Sequence, residues 1–414
     1  MMRLYVEVTN TWRSDLNTGI SRVVRNVLRN LLELGPEKGI AVHPTILQGS
    51  SLVIVPPEAV LNNTSAERGV CGDRQRRAGW KKFKRRLSVG YGRVLDFAGF
   101  RSSIERLIAA EPKGTHVLLL LDASWPYEIW PSIEILKARG LRVVSVIYDL
   151  IPITHSHTVV ESLVFAFEHW LQGQMRLTDS VVCISRSMAD VVRKYLRERM
   201  LSDGLARSIP VSNFYLGAEL DLANGTASVQ ERVVRLKSAD ESIFVMVGTI
   251  EPRKNHRHVF EAFKKLWAQG IDARLAIVGA GEWKSEELLA EIAAHPENGK
   301  RVFVFRDASD ADLQWFYENA TALIMASEVE GFGLPLVEAR KAGLSVICSD
   351  ILVFKELAAR GTTFFRVGDV DDLVRVVVAH LAASHTSSRE NGGGWITWRE
   401  SSQQLLETVV RTMA

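Results

Sequence analysis

The sequence lacks three features that would place it in a specialised class of proteins. No apolar run approaches the roughly 20 residues of a membrane-spanning helix, and the opening MMRLYVEVTN alternates like a strand and lacks the apolar core of a signal peptide. The only cysteines are Cys71, Cys183 and Cys348, whose odd number and wide spacing show no disulfide framework or zinc motif. The net charge of +3, from 51 basic and 48 acidic residues, is too small to indicate a nucleic-acid-binding protein. We therefore expect a cytoplasmic globular protein.

What the chain contains is a long alternation of apolar runs and amphipathic stretches. Buried strands are predicted at RLYVEVT, HVLLLLDAS (116–124), LRVVSVIYDL (141–150), SVVCIS (180–185), SIFVMVGTI (242–250), ARLAIVGAG (273–281), KRVFVF, TALIMAS (321–327) and LSVICSD (344–350). Strands that alternate with helices predict parallel sheets covered on both faces. Because 414 residues exceed the usual size of a single core, we expect two such α/β domains, joined by the polar stretch 218–242.

Three of the predicted helices have recognisable ends. Residues 21–35 form an amphipathic pattern that ends at a glycine, and residues 256–270 also stop at a glycine. Residues 185–200 are predicted to form a helix capped by Ser185 or Ser187.

The loops after the strands supply the candidate chemistry, because ligands of doubly wound sheets bind beyond the carboxyl ends of the strands. VGTIEPRKNHRH (247–258) places Arg253 and Lys254 between a strand and a helix. Two adjacent cations at a helix N-terminus suit a diphosphate, since arginine binds in a bidentate manner and lysine adds a point charge. A solvated turn with ordinary surface charges is the alternative.

The stretch EVEGFGLPLVEARKAG places carboxylates on both sides of a glycine-rich turn. Gly331 and Gly333 let backbone N–H groups approach a ligand, and Pro335 suits the first turn of a helix. We expect this helix N-terminus to point into the cleft between the domains. Of Glu330 and Glu338, one would meet a sugar ring and the other would accept hydrogen bonds from a ribose. A helix start with incidental carboxylates is the alternative.

Two loops of the first half are further candidates. Gly19 follows the first strand and either offers backbone N–H groups to an anion or is a simple turn glycine; the G-x-G-x-x-G fingerprint of nicotinamide cofactors is absent. In YDLIPITHSHTV, the side chains of Asp149, His155 and His157 are suited to orient or bind sugar hydroxyls. The two histidines hint at a metal, but no third ligand is in view, and DVDD (369–372) is expected to cap a helix. We therefore expect no metal site.

A basic stretch, DRQRRAGWKKFKRRLSVGYGR (73–93), carries nine basic residues with Trp80, Phe83 and Tyr91 between them. Three interpretations are open: a solvated, mobile insertion, a contact with an anionic membrane surface, or a nucleic-acid site.

Taken together, VGTIEPRKN, SEVEGFGLPLVEA, VCISRSMADVV and YDLIP resemble the family 4 glycosyltransferases, retaining enzymes of the GT-B fold that use nucleotide sugars. The resemblance follows the motif order through nearly the whole chain and is densest over 240–350. It implies an α/β protein of two Rossmann-like, doubly wound domains that face a central cleft. The acceptor-binding domain would span 1–218, with the insertion at 73–93, and the donor-binding domain 240–394. A last helix at 395–414 would cross back onto the first domain.

The resemblance also implies roles for individual residues. Glu330 would lie near the donor sugar as a catalytic residue, and Glu338 at the ribose. Asp149 and His155 are the other catalytic candidates, although Tyr148 stands where many relatives have a histidine. The implied donor-binding residues are Gly19, Ser185, Thr249, Arg253, Lys254, Gly331, Phe332, Gly333, Leu334 and Glu338.

The residue types suggest a reaction without a metal or cofactor. Cations and helix N-termini neutralise the charge that develops on a nucleoside diphosphate leaving group. Glu330 is suited to lie near an oxocarbenium-like sugar. No second carboxylate is placed as a covalent nucleophile, so we expect the acceptor hydroxyl to attack on the same face, with the donor phosphate assisting proton removal.

The substrates are inferred from the resemblance alone, which is strongest to bacterial mannosyltransferases of surface-polysaccharide assembly. It implies GDP-mannose as donor and a glycan or lipid-linked saccharide as acceptor, at the inner face of the membrane, with other GDP- or UDP-hexoses open. One rival is a nucleotide-sugar 2-epimerase on the same fold. The other is a nucleic-acid binder that uses 73–93, but the near-neutral charge argues against it, so we expect no nucleic acid.

Overall fold

The computed structural model describes residues 1–14, 18–61, 103–202, 207–220, 228–237, 242–281, 284–384 and 394–412. The basic stretch 73–93, with the three interpretations given to it, lies outside these residues, as does Cys71. Cys183 and Cys348 are buried and free.

The first half of the chain forms a seven-stranded sheet in the order β3-β2-β1-β4-β5-β6-β7. Its strands are β1 Met2–Glu7, β2 Ile40–Gln48, β3 Ser51–Ile54, β4 Thr115–Leu120, β5 Arg142–Ile147, β6 Ser180–Cys183 and β7 Val211–Asn213. All neighbours pair in parallel except β2 and β3, which form an antiparallel hairpin at the edge. The central strands are buried on both faces, which explains their continuous apolar runs.

The second half forms a six-stranded, wholly parallel sheet in the order β10-β9-β8-β11-β12-β13. Its strands are β8 Ser242–Val247, β9 Ala273–Val278, β10 Val302–Phe305, β11 Ala322–Met325, β12 Ser345–Ser349 and β13 Thr362–Phe365. The strand order reverses between β8 and β11, and between β1 and β4 in the first sheet. Ligands of such sheets bind at these reversal points.

Helices cover both sheets. Within the described residues they are α1 Thr9–Arg13, α2 Gly19–Glu37, α3 Glu58–Leu61, α4 Ile104–Ala110, α5 Trp130–Lys137, α6 Ile151–Thr154, α7 Glu161–Leu177, α8 Arg186–Ser202, α9 Glu231–Val234, α10 His256–Ala268, α11 Glu286–Ala294, α12 Asp310–Asn319, α13 Leu334–Lys341, α14 Leu352–Leu357, α15 Val370–Ser384 and α16 Trp398–Arg411. In this part of the chain no helix has the length and apolarity needed to cross a membrane.

The predicted end of α2 at a glycine is wrong, since the helix continues through Gly35 to Glu37. Gly35 serves close packing instead of termination. A Cβ there would lie 2.5 Å from Val42 Cγ2 and 2.9 Å from the Ile40 oxygen on β2. A glycine can thus mark the contact of a helix with a neighbouring strand as well as a helix end.

The other predicted helix ends are confirmed. Ser185, one of the two candidates, caps α8 by accepting a hydrogen bond from the Met188 N–H at 3.1 Å. Asp369 caps α15 by accepting from the Asp372 N–H at 2.9 Å. Helix α10 ends at Ala268, just before Gly270, which has a positive φ of 77°.

The last helix, α16, packs against α2 of the first half. Arg399 pairs with Glu33 at 3.0 Å and with Glu37 at 2.9 Å, while Trp398 and Leu405 are buried. These contacts support the division into 1–218, 240–394 and a returning helix at 395–414, which we keep as a proposal.

Candidate functional site

The two halves of the chain meet where the loop after β11 reaches the end of β5. The Ser185 hydroxyl donates to the Gly331 carbonyl at 2.9 Å. A Cβ on Gly331 would lie 2.0 Å from the Tyr148 carbonyl oxygen and 3.2 Å from the Asp149 Cβ. Only a glycine can approach the Tyr148 backbone this closely. The first half of the chain therefore packs directly against Gly331, the residue that follows Glu330.

An ionic cluster lies beside this contact. Glu330 accepts from Lys254 Nζ at 2.8 Å and from the Ser327 hydroxyl at 2.9 Å, and it pairs with Arg253 Nη1 at 2.9 Å. Arg253 also pairs with Glu251 at 2.6 Å and donates to the Val329 carbonyl at 3.3 Å. The structure thus brings the adjacent cations Arg253 and Lys254 together with Glu330, which lies 76 residues beyond Lys254 in the chain.

The charges of this cluster decide its protonation. Burial alone would raise the pKa of Glu330, but the charges of Arg253 and Lys254 overcome it and hold that pKa at about 2. Burial also raises the pKa of Asp149, against the opposing effects of the Ile151 N–H and the Arg253 charge. Asp149 lies beside the residue that follows Glu330, since its Cβ would be 3.2 Å from a Cβ on Gly331.

The turn between the two glutamates begins α13. Gly333 precedes it with a φ of 111°, Leu334 is its first residue, and Pro335 lies in its first turn as predicted. The Phe332 side chain is buried, 6.1 Å from the Trp395 ring. The residues implied to meet a sugar and its phosphates therefore form a helix N-terminus next to the cluster.

Glu338 lies on α13 and is almost wholly buried, with its side chain only 2% exposed. Its Oε2 accepts from the Tyr317 hydroxyl at 2.6 Å, and its Oε1 accepts from Arg22 Nη1 at 2.6 Å. Both carboxylate oxygens therefore have a donor in this structure.

Three further predicted residues lie after β8, at the start of α2 and directly after α6. Thr249 is half-buried after β8, and Gly19 is the exposed first residue of α2. His155 contacts the Thr154 hydroxyl at 2.9 Å and the His157 ring at 6.1 Å, and none of the contacts found in the described residues joins it to Glu330. His157 lies 3.5 Å from Glu328. Among the described residues, no group of three or more histidine, cysteine, aspartate or glutamate side chains could hold a metal.

The sequence reasoning missed a pair of buried acids at the carboxyl ends of β1 and β4. Glu7 and Asp122 are at most 2% exposed. Glu7 Oε1 accepts from the Thr9 N–H at 2.8 Å, and Asp122 accepts from the Ala123 N–H at 2.7 Å. An acidic residue at or just beyond the end of an apolar strand was the available signal for both.

Glu7 gives the protein a testable pH dependence. Burial, with the nearby Asp122 charge, raises the pKa of Glu7 from about 4.5 to about 8. A raised folded-state pKa gives a contribution to stability that is full below pH 4.5 and is lost as the pH rises through 8. We expect Glu7→Gln to flatten the decline in unfolding free energy between pH 5.5 and pH 8 by about 3 kcal/mol, since one pKa unit is worth ~1.4 kcal/mol.

Urea titrations at both pH values would measure this difference, with the exposed Glu58→Gln as the control for charge removal. An unchanged slope in Glu7→Gln would contradict the assignment.

A second missed carboxylate, Glu356 on α14, contacts the N-terminus of α8. It accepts from the N–H groups of Arg186 and Ser187, both at 2.7 Å, and from the Ser187 hydroxyl. This contact between the two halves has no local sequence signal, because 169 residues separate Ser187 from Glu356.

Residues 229–390 match the family described as Glycosyl transferases group 1. This part of the chain is similar to the group 1 glycosyl transferases. The whole chain is 30% identical over 411 residues to the serotype-specific mannosyltransferase WbdA of Escherichia coli, covering 98% of this chain and 46% of WbdA. It is 25% identical over 238 residues to the O-antigen chain mannosyltransferase RfbU of Salmonella typhimurium, covering 58% and 59% of the two chains. The chain thus spans about half the length of these curated relatives.

The structure resembles that of Anabaena HepE in complex with UDP, with a TM-score of 0.60 at 12% identity, covering 99% of this chain and 100% of HepE. At this identity the likeness shows the fold alone. The expected GT-B fold of two Rossmann-like domains is confirmed, and so is the resemblance to bacterial mannosyltransferases of polysaccharide assembly.

Proposed function

We propose that the protein is a retaining hexosyltransferase that moves mannose from GDP-mannose to a glycan or lipid-linked saccharide, without a metal or cofactor. The observation that carries this proposal is the cluster of Lys254, Arg253 and Glu330 beside the N-terminus of α13. Its cations and helix end suit a diphosphate, and its buried carboxylate suits the adjacent sugar. The similarity to WbdA and RfbU supports mannose as the sugar.

Within this site, Lys254 is the proposed ligand of the donor diphosphate. An ammonium has three N–H donors, and the one described above goes to Glu330. Gly248 faces this side chain, since a Cβ there would lie 3.2 Å from Lys254 Nζ. Arg253 is held by Glu251 and Glu330, so we assign it the task of orienting Glu330 and adding positive charge.

Glu330 is proposed to stabilise the positive charge that develops on the sugar. Its low pKa keeps it ionised throughout the physiological range. Asp149 belongs to the proposed acceptor-binding domain and is proposed to bind the attacking hydroxyl of the acceptor. His155 of the same domain is proposed to contact the acceptor farther from the reacting atoms. Glu338 is proposed to accept hydrogen bonds from the nucleotide ribose. A product of inverted anomeric configuration would contradict the retaining outcome.

Thermal shifts with a nucleotide panel test the proposed donor site. A ligand that binds the native state raises the melting temperature, by an amount that grows with its concentration relative to Kd. We expect GDP and GDP-mannose to stabilise the protein more than UDP, ADP and their hexose conjugates. Lys254→Ala should lose this shift, and Lys265→Ala, an exposed lysine of the same domain, should keep it.

If UDP alone raises the melting temperature of the wild type, the prediction of guanine as the donor base is wrong, but the proposed diphosphate site is retained. If no nucleotide shifts it, the donor-site proposal fails. Conversion of the donor to a 2-epimer without an acceptor would indicate the epimerase instead.

A further inference from the structure

Arg22 has no role in the function proposed above, yet it joins the two halves of the chain at the proposed ribose site. It lies in the first turn of α2, and its Nη1 donates to Glu338 Oε1 at 2.6 Å. Its Nη2 donates to the Glu219 carbonyl at 2.8 Å. The side chains of Arg22 and Glu338 are only 11% and 2% exposed, so this is a buried ion pair and not a surface contact.

Glu219, which accepts a hydrogen bond from Arg22, is itself fixed by contacts with two other residues. The Glu219 carboxylate pairs with Lys341 Nζ at 2.8 Å and accepts from the Trp398 N–H at 2.8 Å. The Trp398 indole N–H also donates to the Glu219 carbonyl at 3.0 Å. Glu219, whose carbonyl holds the guanidinium, is therefore fixed by residues at the ends of α13 and α16. The planar guanidinium in turn fixes the direction of both of its hydrogen bonds.

Arg22 and Tyr317 together orient the Glu338 carboxylate, with one donor on each oxygen. Each carboxylate oxygen has two lone pairs, so one on each remains for a ligand. An ionised carboxylate only accepts hydrogen bonds, and the 2′- and 3′-hydroxyls of a ribose are two neighbouring donors.

We propose that Arg22 is a positioning residue for the nucleotide ribose. It holds the Glu338 carboxylate correctly oriented, and it thereby makes the donor site depend on both halves of the chain. The ligand class is a ribonucleoside diphosphate with both ribose hydroxyls present. This inference rests on the proposed function, because it requires a nucleotide at the site.

Isothermal titration with GDP and 2′-deoxy-GDP tests the proposal, with UDP and 2′-deoxy-UDP as the pair if only UDP binds. We expect wild type to bind the ribonucleotide about tenfold more tightly than the deoxynucleotide, the usual order for one hydrogen bond to a charged group. Arg22→Gln and Glu338→Gln should each reduce this ratio towards one. Arg29→Gln removes an exposed arginine from the same helix and should leave the ratio unchanged.

The ratio of the two dissociation constants distinguishes a positioning role from a purely structural one. A general loss of stability would weaken the binding of the ribonucleotide and the deoxynucleotide equally. Arg22→Gln added to Glu338→Gln should cause no further change in the ratio, since both act through one carboxylate. Circular dichroism would establish that each variant is folded. If Arg22→Gln does not fold, Arg22→Lys replaces it and should give an intermediate ratio, since an ammonium lacks the planar fork.

An unchanged ratio in Arg22→Gln would overturn the inference. Tighter binding of GDP by that variant would also overturn it, because Arg22 would then be blocking Glu338. If wild type binds both nucleotides equally, the ribose role of Glu338 and this inference fail while the donor site stands. If wild type binds none of the four nucleotides, the proposed function fails together with the ribose role of Glu338 and this inference.

Discussion

Replacing Glu330 with glutamine is expected to lower kcat/KM for sugar transfer by about 10² to 10³-fold, the usual effect of losing one preorganised charge at a transition state. Glutamine keeps the size of the side chain and an oxygen that can accept from Lys254 and Ser327, while its amide nitrogen replaces the oxygen that pairs with Arg253. The substitution removes the negative charge of Glu330, a carboxylate that Arg253 and Lys254 keep ionised. The measurement is steady-state transfer from GDP-mannose, together with the nucleotide Kd.

The comparison of kcat and Kd locates the effect of this substitution. A carboxylate that acts on the developing charge of the sugar should change kcat strongly and the Kd of GDP only a few-fold. The control is Glu287→Gln, which removes an exposed carboxylate from the same domain and should leave transfer unchanged. Full activity in Glu330→Gln would contradict the catalytic role, and an equal loss in kcat and affinity for GDP would instead place Glu330 at the diphosphate.

Replacing Arg253 with methionine is expected to lower the free energy of unfolding by about 3–5 kcal/mol, because it removes the cation that two largely buried carboxylates share. Arg253 pairs with Glu330 at 2.9 Å and with Glu251 at 2.6 Å, and their side chains are at most 18% exposed. Methionine retains much of the apolar volume, so the loss reports mainly on the charge. Urea unfolding followed by tryptophan fluorescence would measure it.

The matched control for this prediction is Arg235→Met. Arg235 pairs with Glu231 one helical turn away, and both side chains are more than 70% exposed. Such exposed pairs contribute about 0.3–0.5 kcal/mol. Adding Glu251→Gln to Arg253→Met should recover part of the loss, since it removes one of the two negative charges that Arg253 had balanced. Equal effects of the two arginine substitutions would show that the cluster around Arg253 contributes little to stability.

Local patterns in the sequence were sufficient to predict the elements that hold the site. The apolar strands before Arg253 and Glu330 predicted a parallel sheet, and Pro335 predicted the start of α13, because strand burial and helix initiation depend on neighbouring residues. The end of α2 was predicted incorrectly because Gly35 is needed for close packing against β2 and does not end the helix. The residues around Gly35 give no sign of that contact.

The pairing of the site residues was decided by the tertiary structure. The sequence by itself determined that basic residues, glycines and glutamates follow particular strands, and hence that they lie at the carboxyl edges of two sheets. It did not determine that Arg22 meets Glu338 across 316 residues, that Gly331 contacts Tyr148, or that Glu356 caps α8. These contacts depend on how the two sheets face each other, and that arrangement comes from packing among distant residues, with no periodicity in the chain to reveal it.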